Sequence, residues 1–178
     1  MIKMNSVQTG ARRKVDVVDV ELPVPGPTDA LIRIRACGIC GTDTHFPHIG
    51  GMPMGPGGQM MPIPLGHEPA GEVVEVGAEV TDLRVGDRVV VNPMAAPSGT
   101  IGCGGALGGM REYLLIEDAV LGMSMSMAKF PDSLPSDVAA LNEPMAVARR
   151  RVNRSQAGPT TKSWCSEPDP LAWEPQSG

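Results

Sequence analysis

Short valine-rich alternations dominate the hydrophobic pattern of this chain, and helical periodicity is confined to its later part. Residues 14–21 alternate imperfectly between valine and charge and predict a strand. It stops at Pro23-Val24-Pro25-Gly26-Pro27, where missing amide donors end any ladder. Residues 30–36 alternate apolar with basic and predict a half-exposed strand that delivers a loop at residues 37–45. Residues 47–64 are crowded with Gly, Pro and Met and predict a long irregular segment. Its Met52, Met54, Met60 and Met61 read equally well as adaptable pocket lining or as surface loop. Residues 71–77 and 87–91 and Tyr113–Ile116 predict further strands, separated by turns at Gly77-Ala78 and Val85-Gly86-Asp87. Residues 136–141 predict a helix with Ser136 as N-cap after Pro135, and residues 143–151 continue it or start a second. Short strands joined by Gly-rich turns argue for a mainly β fold with a few helices, closed or folded on itself.

Composition narrows the function classes. The 178 residues suffice for one domain with a real core and are too few for two ordinary ones. At 42% hydrophobic and 20% charged the chain is globular. With aromatics at only 3%, Val, Leu, Ile and the 12 Met are expected to fill the core. A net charge of −5 without a basic block gives no electrostatic case for a nucleic-acid or anionic-membrane partner. No apolar run reaches the roughly 18 residues of a spanning helix. The first residues lack a signal-peptide core, so a cytoplasmic location is expected. The four cysteines, Cys37, Cys40, Cys103 and Cys165, do not resemble a disulfide framework. A Cys-x-x-Cys in such a setting points to metal or redox chemistry.

The chemistry concentrates in residues 36–45, answered by Gly66-His67-Glu68. Cys40, His67 and Glu68 offer a thiolate, an imidazole and a carboxylate, a set that suits zinc better than magnesium or calcium. A cysteine or histidine alone is more often a packed core residue; two ligand-bearing segments set among glycines favour a metal site. A thiol-redox role for Cys37 and Cys40 is the competing reading, and no helix is expected after them to lower a thiol pKa.

Gly38-Ile39-Cys40-Gly41-Thr42-Asp43-Thr44-His45, Gly66-His67-Glu68-Pro69-Ala70-Gly71 and Gly86-Asp87-Arg88-Val89 together resemble the zinc-dependent medium-chain dehydrogenases, closest to the sorbitol and threonine dehydrogenase branch. The resemblance runs from about the first strand to Asn142-Glu143-Pro144. It implies a GroES-like, partly open β-barrel over residues 1–157. Cys40 and His67 would then be ligands of a catalytic zinc, Glu68 a ligand or exchangeable neighbour, and Glu143 a carboxylate on the metal or its water. Thr42 and His45 resemble the family's proton relay, and Asp43 would orient a ligand by hydrogen bonding. Many relatives carry four closely spaced cysteines for a structural zinc. Here Cys103 stands alone in that region, so one catalytic zinc and no structural one is expected.

Such an enzyme also needs a doubly wound NAD(P)-binding domain beginning with a Gly-rich turn. Instead residues 158–178 lack periodicity and read as an aberrant, disordered tail, leaving the expected Rossmann domain and its cofactor site absent. Shifting the reading frame offers an explanation. Trp164-Cys165 and Trp173-Glu174 are forced to Val and Gly, and residues 162–175 can encode V-V-V-F-G-A-G-P-V-G-L-G-A, a strand entering the dinucleotide fingerprint. The expected function is therefore a zinc- and NAD(P)-dependent alcohol or polyol dehydrogenase represented by its catalytic domain. It would take a small alcohol or polyol as substrate and be a homo-oligomer by family, with catalysis by this chain alone in doubt. The alternative is a non-catalytic zinc-binding GroES-like module acting through a partner. Zinc-free quinone or enoyl reductase chemistry is disfavoured because those relatives lack the Cys40, His67 and Glu68 set.

Overall fold

The computed structural model describes residues 2–96, 99–119 and 126–155. Residues up to Pro144 form one compact unit. It opens with an antiparallel hairpin of β1 (Lys3–Thr9) and β2 (Val15–Glu21). The central layer is a five-stranded sheet in the order β8-β3-β6-β7-β9, in which every pairing is antiparallel. Its strands are β3 (Ala30–Gly38), β6 (Glu68–Val76), β7 (Arg88–Val91), β8 (Tyr113–Ile116) and β9 (Met127–Lys129). The outer strands β8 and β9 do not pair with each other, so the sheet is open between them. That is the partly open form expected, and no described strands build a doubly wound parallel sheet.

Apolar positions of period two fill the core. Ile32, Val73, Val89, Ile101, Leu114, Ile116 and Met127 are almost fully buried on one side of the sheet. On the other side Ala70 and Val90 pack against Ala139 and Ala140 of α2 (Ser136–Ala140). The expectation that methionine shares the core with the aliphatics fails for most of the described methionines. Met4 and Met127 are buried, whereas Met54, Met60, Met61, Met94 and Met145 are exposed. Aliphatic side chains and small alanines at the helix–sheet contact fill the interior without them.

The Gly-Asp-Arg-Val stretch ties the sheet to α2. The Asp87 carboxylate accepts from Lys129 Nζ at 2.7 Å and from the Arg84 amide at 2.9 Å. The Arg88 guanidinium lies 4.4 Å from the Phe130 ring centroid and donates to Asp132 O at 2.8 Å and Ser136 Oγ at 3.1 Å. Ser136 is therefore the first residue of α2, with its hydroxyl taken by Arg88; the N-cap position belongs to Pro135. A separate helix α3 (Asn142–Ser155) follows.

One strand is added and one further expectation is corrected. β1 is an additional strand, and the segment after β3 is regular where a loop was expected. Residues Gly41–Ile49 form helix α1, capped by Cys40 at its start and by Gly50 in the left-handed conformation at its end. Within residues 47–64, Met52–Pro53 (β4) and Met60–Met61 (β5) pair as a small hairpin around a 3-10 turn at Pro56–Gly58. The proposed tail at residues 158–178, and with it the frame-shift reading, lies outside the described residues.

Candidate metal centre

Two strand ends and one helix start converge on the candidate ligands. The β3–β6 ladder carries register shifts between Leu31 and Ile32 and between Ile34 and Ala36, so the last residues of β3 are re-aimed before the chain turns into α1. The ladder ends with Gly38 opposite Glu68. A Cβ at position 38 would collide with the Glu68 carboxylate, so glycine leaves the space that side chain occupies. Gly66 adopts φ +87°, and a Cβ there would meet Met110 and the Cys37 sulfur. Both glycines let backbone pack where a side chain would block the site.

Cys40, His67 and Glu68 come together: one ligand atom from each lies within 4.8 Å of the others. Tetrahedral zinc with bonds of about 2.0–2.3 Å places its ligand atoms roughly 3.5 Å apart, so small side-chain adjustments accommodate the ion. His67 and Glu68 are buried, and Cys40 is half-buried. His67 Nδ1 is buried without a hydrogen-bond partner, 3.7 Å from Asp43 Oδ2. Burial foremost pushes the Glu68 carboxyl above its ordinary range. The charges of Glu143 and Asp43 add to that, while His67 and the Cys40 thiol oppose it. A bound cation would reverse that penalty, and the donor set fits zinc on chemistry as well as spacing.

Asp43 organises the surround. Its Oδ2 accepts from the Cys40 amide at 3.0 Å and its Oδ1 from the Gly66 amide at 2.8 Å, so one buried carboxylate fastens both ligand-bearing segments. Thr42 is half-buried with its hydroxyl 3.8 Å from Cys40 Sγ. His45 is exposed one turn further along α1, its ring edge-on to Phe46. Thr42 and His45 therefore share a helix face that runs from the cluster to solvent. No hydrogen bond joins them among the described residues.

Other expected participants stand apart. Glu143, at the start of α3, is half-buried and acts on Glu68 and Cys103 through its charge, but it is not in the three-residue cluster. Cys37 also stays outside. Burial pushes its thiol up to about 12, with hydrogen bonding to the Glu68 backbone opposing and the Asp43 and Glu68 charges adding. A thiol so firmly protonated does not suit the redox reading of Cys37 and Cys40. The helix held to be missing after that motif is present as α1. Cys103, not a candidate at first, is pushed up to about 11 by burial and by the charges of Asp43, Cys40 and Glu143, against hydrogen bonding with Thr42. It holds φ +49°, unusual for a residue with a side chain. Its lone position in sequence gave no signal of that placement.

A mainly antiparallel β domain in which Cys40, His67 and Glu68 gather beside two strand ends is of a recognisable class. Residues 26–125 match the family model described as the alcohol dehydrogenase GroES-like domain. The chain is 33% identical over 172 residues to (R,R)-butanediol dehydrogenase of Bacillus subtilis (strain 168), covering 86% of this chain and 48% of that protein. It is 35% identical over 144 residues to the NADP-dependent isopropanol dehydrogenase of Thermoanaerobacter brockii, covering 72% and 39%. The crystal structure of 2R,3R-butanediol dehydrogenase from Bacillus subtilis superposes with a TM-score of 0.68 at 32% identity, covering 84% of this chain and 47% of that one. The chain belongs to the zinc-dependent medium-chain dehydrogenase family through its GroES-like catalytic domain. It spans about half the length of the curated relatives it matches.

Proposed function

We propose that this domain is the substrate- and metal-binding part of an alcohol or polyol dehydrogenase that passes a hydride to NAD(P). The observation that carries the reading is the convergence of Cys40, His67 and Glu68, with both ligand segments fastened by Asp43. Cys40, His67 and Glu68 would hold one catalytic zinc; Glu143 stands by as a further carboxylate. Zinc in such a site supplies Lewis acidity, lowering the pKa of an alcohol oxygen as it lowers that of water.

This chain's own residues would do the rest. Thr42, beside the cluster, receives the hydroxyl proton of the substrate and hands it on along α1. His45, exposed to solvent on the same helix face, releases it, a task suited to an imidazole, which can both accept and donate a proton. Asp43 keeps the two ligand segments in register. NAD(P), when bound, would supply the hydride acceptor: the carbinol carbon would give up a hydride, which is two electrons and one proton, while the second proton leaves through Thr42 and His45.

The test joins residues 1–155 to the dinucleotide-binding half of the Bacillus subtilis butanediol dehydrogenase and follows nicotinamide reduction with secondary alcohols and vicinal diols. The reading predicts metal-dependent turnover that Cys40→Ser abolishes. A folded, zinc-loaded fusion that binds NAD(P) and oxidises none of them would overturn it.

A further inference from the structure

Arg111 is a half-buried cation whose pairing is incomplete. It bridges to Ser6 of β1 just before β8. Its Nε is buried without a hydrogen-bond partner. Among the described residues its hydrogen bond is a long one, from Nη2 to Ser6 Oγ at 3.4 Å, and no carboxylate forms an ion pair with it. The adjacent Glu112 is committed elsewhere, its Oε2 accepting from the Asn5 amide at 2.7 Å. Burial lowers the Arg111 pKa from its ordinary value, the signature of a guanidinium removed from water without compensation.

The same side chain lines a cavity of about 400 Å³ that shares no residue with the metal-ligand cluster. Val20, Pro23, Leu107 and Leu115 give it apolar walls, and Glu21 and Glu117 contribute carboxylates. The volume falls within the range of small-molecule sites, and apolar walls with a few polar groups are their usual composition. A guanidinium presents its donors in a fixed fork that matches a carboxylate bidentately. Two glutamates on the same cavity oppose phosphates and dicarboxylates, which would bring more negative charge than one arginine can balance.

We propose that this cavity is a binding site for a small carboxylate with a compact apolar body, its carboxylate held by Arg111 and its body against Leu107 and Leu115. An aliphatic acid and an apolar amino acid share that chemistry. They differ in the ammonium group, which Glu21 and Glu117 would accept.

The test titrates the full chain with 3-methylbutanoate, leucine and inorganic phosphate by calorimetry. The proposal predicts saturable binding of at least one of the two carboxylates, with phosphate at least tenfold weaker. Arg111→Gln weakens binding at least tenfold. Because that change also removes the bond to Ser6, Ala106→Phe provides the second variant. Ala106 is an exposed residue on the cavity lining, and the larger ring fills the space while leaving Arg111 intact. It too should weaken binding at least tenfold with an unchanged melting temperature. Tighter binding of leucine, lost in Glu117→Gln, assigns an amino acid; tighter binding of 3-methylbutanoate assigns a simple acid. Absence of saturable binding, equal affinity for phosphate, or full affinity in folded Arg111→Gln and Ala106→Phe would overturn the proposal.

Discussion

Replacing Asp43 with alanine should damage stability and metal binding together, because one carboxylate serves both ligand segments. Its two oxygens accept from the amides of Cys40 and Gly66 at 3.0 and 2.8 Å, and the side chain is almost wholly buried. A hydrogen bond to a charged group contributes about 1.5–3 kcal/mol, so the gross loss for two is about 3–6 kcal/mol. Removing the buried carboxylate returns part of its desolvation penalty, leaving a net destabilisation of about 2–4 kcal/mol. Asp43→Asn keeps an acceptor for one amide only and should fall about midway. Residues that orient metal ligands typically change metal affinity by about 10–100-fold, and the same range is expected here for zinc. Urea unfolding of metal-free protein gives the first quantity and competitive zinc titration the second. A loss below about 1 kcal/mol, or unaltered zinc affinity in folded Asp43→Ala, would refute the reasoning.

Three other outcomes follow from particular contacts. Gly38→Val should displace the Glu68 carboxylate and lower zinc affinity while His67 stays in place, measurable by competitive titration against a chelator. Burial alone would raise the Asp87 pKa, but Lys129 and Arg84 outweigh it and hold the carboxyl below its ordinary value of 3.8. The stability this contributes is present above that value and is lost as pH falls through the lower folded pKa. Asp87→Asn should therefore destabilise by about 1–2 kcal/mol at neutral pH, with the difference shrinking at the acid end of a pH series of melts. Cys37 and Cys103, with thiols pushed up to about 12 and about 11, should react slowly with iodoacetamide at neutral pH, which mass spectrometry of digested protein reads site by site.

Much of the sheet was legible because its strands carry their own punctuation. The strand expected at Tyr113–Ile116 has its observed bounds, a short run of four apolar residues set between charged ones. β1 escaped because Lys3–Thr9 is mostly polar, and burial of Met4, Ser6 and Thr9 depends on partners far along the chain. α1 escaped for a related reason. Gly41 and Pro47 are poor helix residues, and the helix relies on Asp43 reaching back to the Cys40 amide and on Gly50 ending it. The Cys40, His67 and Glu68 convergence was readable from ligand chemistry and motif resemblance. Their closeness follows from the antiparallel pairing of β3 with β6, which sets Gly38 opposite Glu68. Glu143 lies outside the cluster although its motif is intact, since a helix start rather than a strand end carries it. Arg111 and Cys103 had no sequence signal, because what distinguishes them is burial without full pairing and a strained turn.

The most direct test of the account is zinc content per chain, measured by elemental analysis on wild type beside Cys40→Ser and His67→Ala. Circular dichroism on all three would establish that each is folded. The account predicts about one zinc per wild-type chain and its loss in both variants, since a site with an open position has few protein ligands to spare. Folded wild type without zinc, or zinc retained in both variants, would contradict the assignment of Cys40, His67 and Glu68 as the metal centre.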